Sequence, residues 1–482
     1  MNKLLPDTPV ASHVGSRLRA TTPTVLGATL IFLISAGRLI PPTVGIGVVI
    51  LALAAAVALR HTAVVVAGGM IAVALIPVYW GPVIPSTHEG VLPVLGVCLL
   101  LLPRAWRDLP NLRLRSVDWM MAAYVALRIL GSLVNSSRGA GSALDAVLYA
   151  ALPYTTFRLL GLDPVLRRAA AVGVVIAGAA LSVFTIREYN GTPNPFFKHF
   201  PKGWNHSYWV HVDFRFGRPR AEASFGHADA LGLFLAFATV LAIALAWHEK
   251  NLLRRVALYA AAALCLQGIA DTLERGPFVL MLVALPIVLI VEVRRGRSFR
   301  VLAAVAAAAA VLALTPVGTA AFHLRDASKT GGRLQASAQD RFDTIRAMGD
   351  SRYFSLLGHD QGDSPGLTVQ QAIGISTGLG AIENAFMWTY VVYGALAFAA
   401  FAMILIPITS AAFNPRLALV DTAWIAIVVA CFVIFLSVSF ASQFGHFFWI
   451  ALGLSTAALQ HDADADATKP VVGDSEALEL SR

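Results

Sequence analysis

The chain has 482 residues, 57% of them hydrophobic and only 13% charged, with a mean hydropathy of +0.69 and a formal net charge of +9. A soluble chain carries about a quarter charged residues, so a soluble globular enzyme is excluded. The positive balance does not indicate nucleic acid, because the basic residues sit in short clusters between apolar stretches, as on the cytoplasmic faces of membrane proteins.

The polar opening segment, with Lys3, Arg17 and Arg19, has no small-residue cleavage site behind a short apolar core, so no cleavable signal peptide is expected. Apolar stretches approaching or reaching the roughly 18–20 residues that cross a bilayer follow one another. Spans are expected at Thr24–Leu39, Gly45–Leu59, Thr62–Tyr79, Val91–Leu102, Val117–Val134, Ala143–Leu160 and Ala169–Ile186. They continue at Ala228–Trp247, Val256–Thr272, Pro277–Val293, Val301–Val317, Ala385–Ile408, Leu417–Val438 and Gln443–Leu459. That makes fourteen, or twelve without the short Val91–Leu102 and the Asp145-bearing Ala143–Leu160. The fold expected is an all-α polytopic transmembrane bundle of 12–14 spans, one membrane domain over 1–460. Two long polar extracytoplasmic loops, about 187–225 and 320–383, interrupt it, and 461–482 reads as a disordered cytoplasmic tail. Cys98, Cys265 and Cys431 lie far apart inside apolar stretches, which gives neither a disulfide framework nor a metal motif.

With the N-terminus inside, the inner loops hold Arg60, Arg104, Arg107, Arg113, Arg115, Arg158, Arg167 and Arg168. Further on they hold Lys250, Arg254, Arg255, Arg294, Arg295, Arg297, Arg300 and Arg416. The short outer loops hold only Arg38, Arg138 and Arg275. Lys and Arg in short loops set orientation. The chain therefore reads as a multi-pass protein of the inner (plasma) membrane with both termini cytoplasmic and both long loops outside.

The arginines that break this pattern point to a site. Arg128 lies within a span, where it costs about 2.5–3.5 kcal/mol on insertion scales, so it snorkels or pairs with a buried carboxylate. Arg275, in Asp271-Thr-Leu-Glu-Arg-Gly-Pro277, sits at an outer junction where a lipid phosphate would lie, with Pro277 opening the next helix. Arg218 and Arg220 close the first long loop, immediately before a span. Guanidinium matches phosphate oxygens in bidentate geometry, and a helix N-terminus favours anions. The alternative is that these arginines meet anionic headgroups or simply solvate the loop. The same loop is rich in aromatics, among them Tyr189, Phe196, Phe200, Trp204, Tyr208 and Trp209, suited to the membrane interface or to sugar faces. Its His199, His206 and His211 follow no helical spacing, and no metal site is expected. In the second loop, 338–348 reads as a surface helix carrying Phe342, Ile345 and Met348 on one face and Arg341 opposite. A glycine-punctuated turn follows through His359, and Glu383 stands at the start of the next span.

Taken in order, these pieces resemble the O-antigen ligase and O-antigen polymerase superfamily of bacterial envelope glycosyltransferases. Arg218-Pro-Arg220-Ala-Glu-Ala-Ser-Phe-Gly-His227 resembles that family's Arg-x-x-Gly-x-Phe-x-Asn/His segment. Glu274-Arg275-Gly276 is similar to its Ser-Arg-Gly junction, with Glu in place of Ser. Arg341 followed by Leu357-Gly358-His359-Asp360-Gln-Gly362 resembles its Arg…Gly-x-Gly-x-Gly stretch, and Glu383-Asn384-Ala-Phe…Gly394 its His-Asn opening of a late span. The resemblance covers about 187–394. It implies transfer of a glycan from a polyprenyl-pyrophosphate donor to the hydroxyl of a glycan or glycolipid acceptor, with inversion. No cofactor, metal or nucleic acid takes part, and the surrounding partner is membrane lipid. It implies Arg218, Arg220, Arg275 and Arg341 as pyrophosphate ligands and Glu383 or His359 as the base, with His227 a rival. Because Glu383 replaces the family's His, a like-for-like role does not carry over. A transporter or flippase of a lipid-linked glycan is the alternative; Arg128, Asp145 and Asp271 are its support, but most ionisable residues stand at the outer rim rather than mid-membrane. Enzymes that use polyprenyl-monophosphate sugars carry acids in the first outer loop, and Ile40–Val44 has none.

Overall fold

Hydropathy alone dictates helices here, since backbone amides inside a bilayer must be satisfied within their own segment. The computed structural model describes residues 60–77, 91–135, 139–199, 214–215, 218–296, 354–358, 384–438 and 442–467. By contacts the chain divides into Met1–Arg60 and His61–Arg482, and the helices named below belong to the second. The expected spans Thr24–Leu39, Gly45–Leu59 and Val301–Val317 and the expected helix at 338–348 lie outside the described residues.

The helices are α1 (Thr62–Leu75), α2 (Val91–Asp108), α3 (Ser116–Asn135) and α4 (Gly139–Asp145), which continues through a π turn, Ala146–Ala151, into α5 (Leu152–Leu160). Then come α6 (Pro164–Tyr189), the antiparallel hairpin β1 (Phe214–Arg215) and β2 (Arg218–Pro219), α7 (Ala228–His248), α8 (Leu252–Asp271) and α9 (Gly276–Arg294). After the second insertion, α10 (Ala385–Trp388) passes through another π turn, Thr389–Tyr393, into α11 (Gly394–Met403) and α12 (Leu405–Ala412). The bundle closes with α13 (Leu419–Ile434) and α14 (Ser442–Ala467). Six of these helical runs are long and apolar enough to cross a membrane, and α1 and α13 are shorter apolar helices. The chain is a multi-pass helical membrane protein.

Successive runs alternate in direction, so the connections collect at two ends. At the basic end lie Arg104, Arg113, Arg158, Arg167, Arg168, Lys250, Arg254, Arg294 and Arg416. At the other, the loop end, lie the start of α7, the α8–α9 corner and the start of α10. The innermost helix is α7. It is apolar all round because α6, α8, α9, α13 and α14 surround it. By contrast α8 turns Leu252, Leu253, Val256 and Tyr259 outward, as a lipid-facing helix does.

Among the boundaries that differ from the sequence expectation, two do so for polar reasons. The short span expected at Val91–Leu102 runs on to Asp108, where Arg104 and Asp108 pair at i,i+4. The tail expected to be disordered from 461 is helical as far as Ala467. Gln460 pins it there: its Nε2 donates to the Asn111 carbonyl (2.7 Å), and its Oε1 accepts from Arg158 Nη2 (2.8 Å) and the Arg113 N–H (3.1 Å).

Buried ion pairs tie the basic end together. Arg158 meets Asp118 (3.1 Å), which also accepts from the Tyr154 hydroxyl (2.7 Å). Arg167 grips Asp421 with two bonds of 2.6 and 2.8 Å, joining α6 to α13. Removing one member of such a pair strands the other charge. Asp421→Ala is therefore expected to destabilise the fold by about 3–5 kcal/mol. The double change Arg167→Met with Asp421→Leu should recover most of that loss in thermal unfolding.

Candidate functional site

The polar residues at the loop end are assembled on the ends of α1, α6 and α8. Helix α6 finishes with Glu188 and Tyr189, and the chain turns back at Gly191, whose φ of +87° suits glycine. Glu188 is buried. Its carboxylate accepts from the backbone N–H of Glu222 (3.2 Å) and Ala223 (3.0 Å) and from Asn194 Nδ2 (3.2 Å). That grip holds Ala223 in the left-handed region, φ +45°, which a non-glycine residue adopts only under constraint. Ser224 Oγ donates to the Ala74 carbonyl of α1 (2.6 Å), and the Ala221 N–H reaches the Asp271 carbonyl of α8 (3.3 Å). The segment leading into α7 is thus bolted to three helices.

The arginines ride on this frame. The hairpin register sets Arg215 directly opposite Arg218. Arg215 reaches the α8–α9 corner, donating to the Leu273 carbonyl (2.7 Å) and pairing with Glu274 (3.2 Å). Arg220 pairs with the same Glu274 oxygen and stands 3.8 Å from Asp229. Arg218 is exposed, its guanidinium 5.8 Å from the centre of the Tyr189 ring. Arg275, the residue after Glu274, is exposed and caps the N-terminus of α9, with Pro277 in the first turn. His227 caps α7, half-exposed, 3.9 Å from Asp229.

Three of the four arginines expected to hold phosphate, Arg218, Arg220 and Arg275, therefore meet on one rim, because Glu274 ties the hairpin to the α8–α9 corner. Arg341, His359 and Glu383 lie outside the described residues, as do Phe200, Trp204, His206, Tyr208, Trp209 and His211. Glu274, which stands where the resembling family has Ser, is shared by Arg215 and Arg220. Arg215 had been given no role, although the signal was present: two residues, Phe216-Gly217, separate it from Arg218, the length of a tight hairpin loop. Arg128, deep in the bundle, pairs with Asp145 (3.1 Å), so pairing rather than snorkelling accommodates it.

The rim is tiered. Glu188, Glu222, Asp271 and Glu274 are buried, while Arg218, Arg275 and His227 are exposed. Glu274 fixes Arg215 and Arg220 beside the exposed Arg218 and Arg275, and guanidinium groups held in place are what an anion site needs if it is to bind without reorganising. Among the described residues, no group of three or more His, Cys, Asp or Glu side chains is placed to hold a metal ion. A polar cavity of about 460 Å³ lies at the basic end, among Asp108, Asn111, Arg113, Asp163 and Gln460, and belongs to the network that pins α14. No protein-family model matches the chain, and no curated protein matches it in sequence.

Asp271 bears an unusual cost. It is buried at the C-terminal end of α8, where the helix dipole disfavours a negative charge. One oxygen accepts from Gln267 (3.0 Å), and Oδ2 has no hydrogen-bond partner among the described residues. Asp271→Asn removes the charge and keeps the shape, so it is expected to raise the thermal midpoint by a few degrees. A fall in midpoint would mean that the carboxylate is compensated.

Proposed function

We propose that this chain is an integral-membrane glycosyltransferase of the O-antigen polymerase and ligase kind. It transfers a glycan from a polyprenyl-pyrophosphate donor to an acceptor hydroxyl at the loop end of the bundle. The observation that carries this reading is the rim itself: Arg215, Arg218, Arg220 and Arg275 on one frame at the edge of an apolar bundle, where the headgroup of a membrane-held lipid lies. The order of the motifs along the chain supports it. The positive-inside pattern supports an outer-face location for the rim, with both termini in the cytoplasm of a plasma membrane.

In this reading the acceptor oxygen attacks the anomeric carbon from the side opposite the pyrophosphate. The bond from that carbon to the pyrophosphate oxygen breaks, and its electron pair leaves with the polyprenyl pyrophosphate. The hydroxyl proton passes to a base, Glu383 or His359. Charge grows on the leaving oxygen, and arginines fixed beforehand stabilise it without solvent rearrangement. A leaving group so stabilised needs no acid, only the base for the acceptor. Arg341 would join the arginines from the second insertion. The scheme uses neither a nucleotide sugar nor a metal. The buried Arg128–Asp145 pair is what favours transport of the lipid-linked glycan as the second reading.

The test is purified protein in nanodiscs with polyprenyl-pyrophosphate oligosaccharides and EDTA present. A ladder of products, or a single transfer to a glycolipid, is expected. Arg220→Ala and Arg275→Ala should each lower kcat by about 10²–10³, and Glu383→Gln should remove turnover if it is the base. Full activity in Arg275→Ala would sink the proposed site. Donor binding with no product would move the assignment to transport.

A further inference from the structure

Phe354–Gly358 is non-helical backbone lodged against the bundle between α3 and α11. The carbonyls of Ser355 and Leu356 accept from the N–H groups of Ala395 (2.8 Å) and Leu396 (3.4 Å). Those are among the first amides of α11, which have no acceptor within their own helix. They exist because the π turn Thr389–Tyr393 interrupts the run and ends at Gly394, φ +92°. Gly358, φ +91°, lies against the Val392 carbonyl, and on α3 a Cβ at position 131 would stand 2.5 Å from the Leu357 carbonyl oxygen. Three glycines, Gly131, Gly358 and Gly394, thus make room for one strand of chain. Phe354 and Leu356 point outward, 55% exposed, as lipid-facing side chains do. The dock lies ten residues along the helical run from Asn384, roughly 15 Å at 1.5 Å per residue. At that depth irregular backbone persists only where protein satisfies it.

A buried charge lies beside the dock. Arg128 Nη2 donates to the Tyr393 hydroxyl (2.8 Å), and its guanidinium lies 4.3 Å from the centre of that ring and 5.6 Å from that of Tyr124. Asp145, at the head of the other π turn, pairs with it at 3.1 Å. Both helical runs that face Arg128 are therefore wound irregularly where they meet it. Such π turns concentrate at functional sites. A buried ion pair adds little net stability, and its best-attested use is to select one arrangement over others.

We infer that Arg128, Asp145 and Tyr393 are positioning residues. They hold the π turn that presents Gly394, dock Phe354–Gly358 there, and so fix the chain immediately before His359. Immediately after Glu383, the Asn384 side chain accepts from the Met387 N–H (2.9 Å) and donates to the Leu436 carbonyl (2.9 Å). Both feet of the segment that carries His359 and Glu383 are then anchored on one helical run. The catalytic consequence, though not the dock, rests on the proposed transfer reaction.

Hydrogen exchange at Ala395 and Leu396, read on the full chain in nanodiscs, tests the dock. Arg128→Met removes the charge, and Gly131→Ala crowds Leu357 without touching any charge. Each is expected to speed exchange at the two amides about ten-fold or more, with Arg128→Lys intermediate and the amides of α7 unchanged. If α7 also loses protection in Arg128→Met, Gly131→Ala decides. In the transfer assay both variants should lower kcat and leave the donor KM within about two-fold. Unchanged exchange in Gly131→Ala overturns the dock. Faster exchange with unchanged kcat overturns the positioning role. Absence of transfer by the unaltered protein with every donor would remove the proposed function, and exchange would still decide the dock.

Discussion

A guanidinium taken out of water must find a carboxylate, and that requirement organises this bundle from end to end. Arg158 meets Asp118, Arg167 meets Asp421, Arg128 meets Asp145, and Arg215 and Arg220 share Glu274. None of these pairs joins neighbours on one helix. Each ties two elements, and an unpaired member would cost several kcal/mol. Apolar helices in lipid have little reason to choose one packing over another, because lipid is as apolar as they are. The ion pairs provide that choice.

The same interaction has different consequences at the two ends. At the basic end Arg158 and Arg167 are 1% exposed and bond to Asp118, Gln460, Asp421 and the Gly161 carbonyl, so they act as fasteners. At the loop end Glu274 holds Arg215 and Arg220 from below, while Arg218 and Arg275 face outward. A fastened guanidinium is fixed in direction, and a fixed array of them costs nothing to organise when an anion arrives. In the proposed site, Arg215 and Arg220 are the arginines fixed by pairing, and Arg218 and Arg275 stand exposed beside them.

Hydropathy made the helices legible, since an apolar run between charged loops has only one way to satisfy its amides. Helices α3, α7, α8 and α9 begin and end within a few residues of the spans read from sequence. The π turns were not legible. Asp145-Ala-Val-Leu-Tyr-Ala-Ala and Thr389-Tyr-Val-Val-Tyr read as ordinary apolar helix, and their winding answers to Arg128, which lies 265 residues from Tyr393. The partner of Glu274 was hidden for a similar reason. The hairpin delivers Arg215 and Arg220 to it from another part of the chain. The end of α14 depended on Gln460, whose hydrogen-bond partners lie more than 300 residues away.

Arginine counts in loops were read for orientation and for function together, and the structure separates the two populations by burial. Residues that set topology need only stay on one side, so nothing prevents the fold from consuming them as fasteners, and at the basic end it does. Residues that bind a charged headgroup must keep donors turned to the outside while their stems are held. Arg218 and Arg275 are exposed at the rim, and the carboxylates Glu188, Glu222, Asp271 and Glu274 are buried, away from an incoming anion. Arg128 belongs to neither population. Its charge is spent between two irregular turns, and what it secures is a length of backbone rather than a helix.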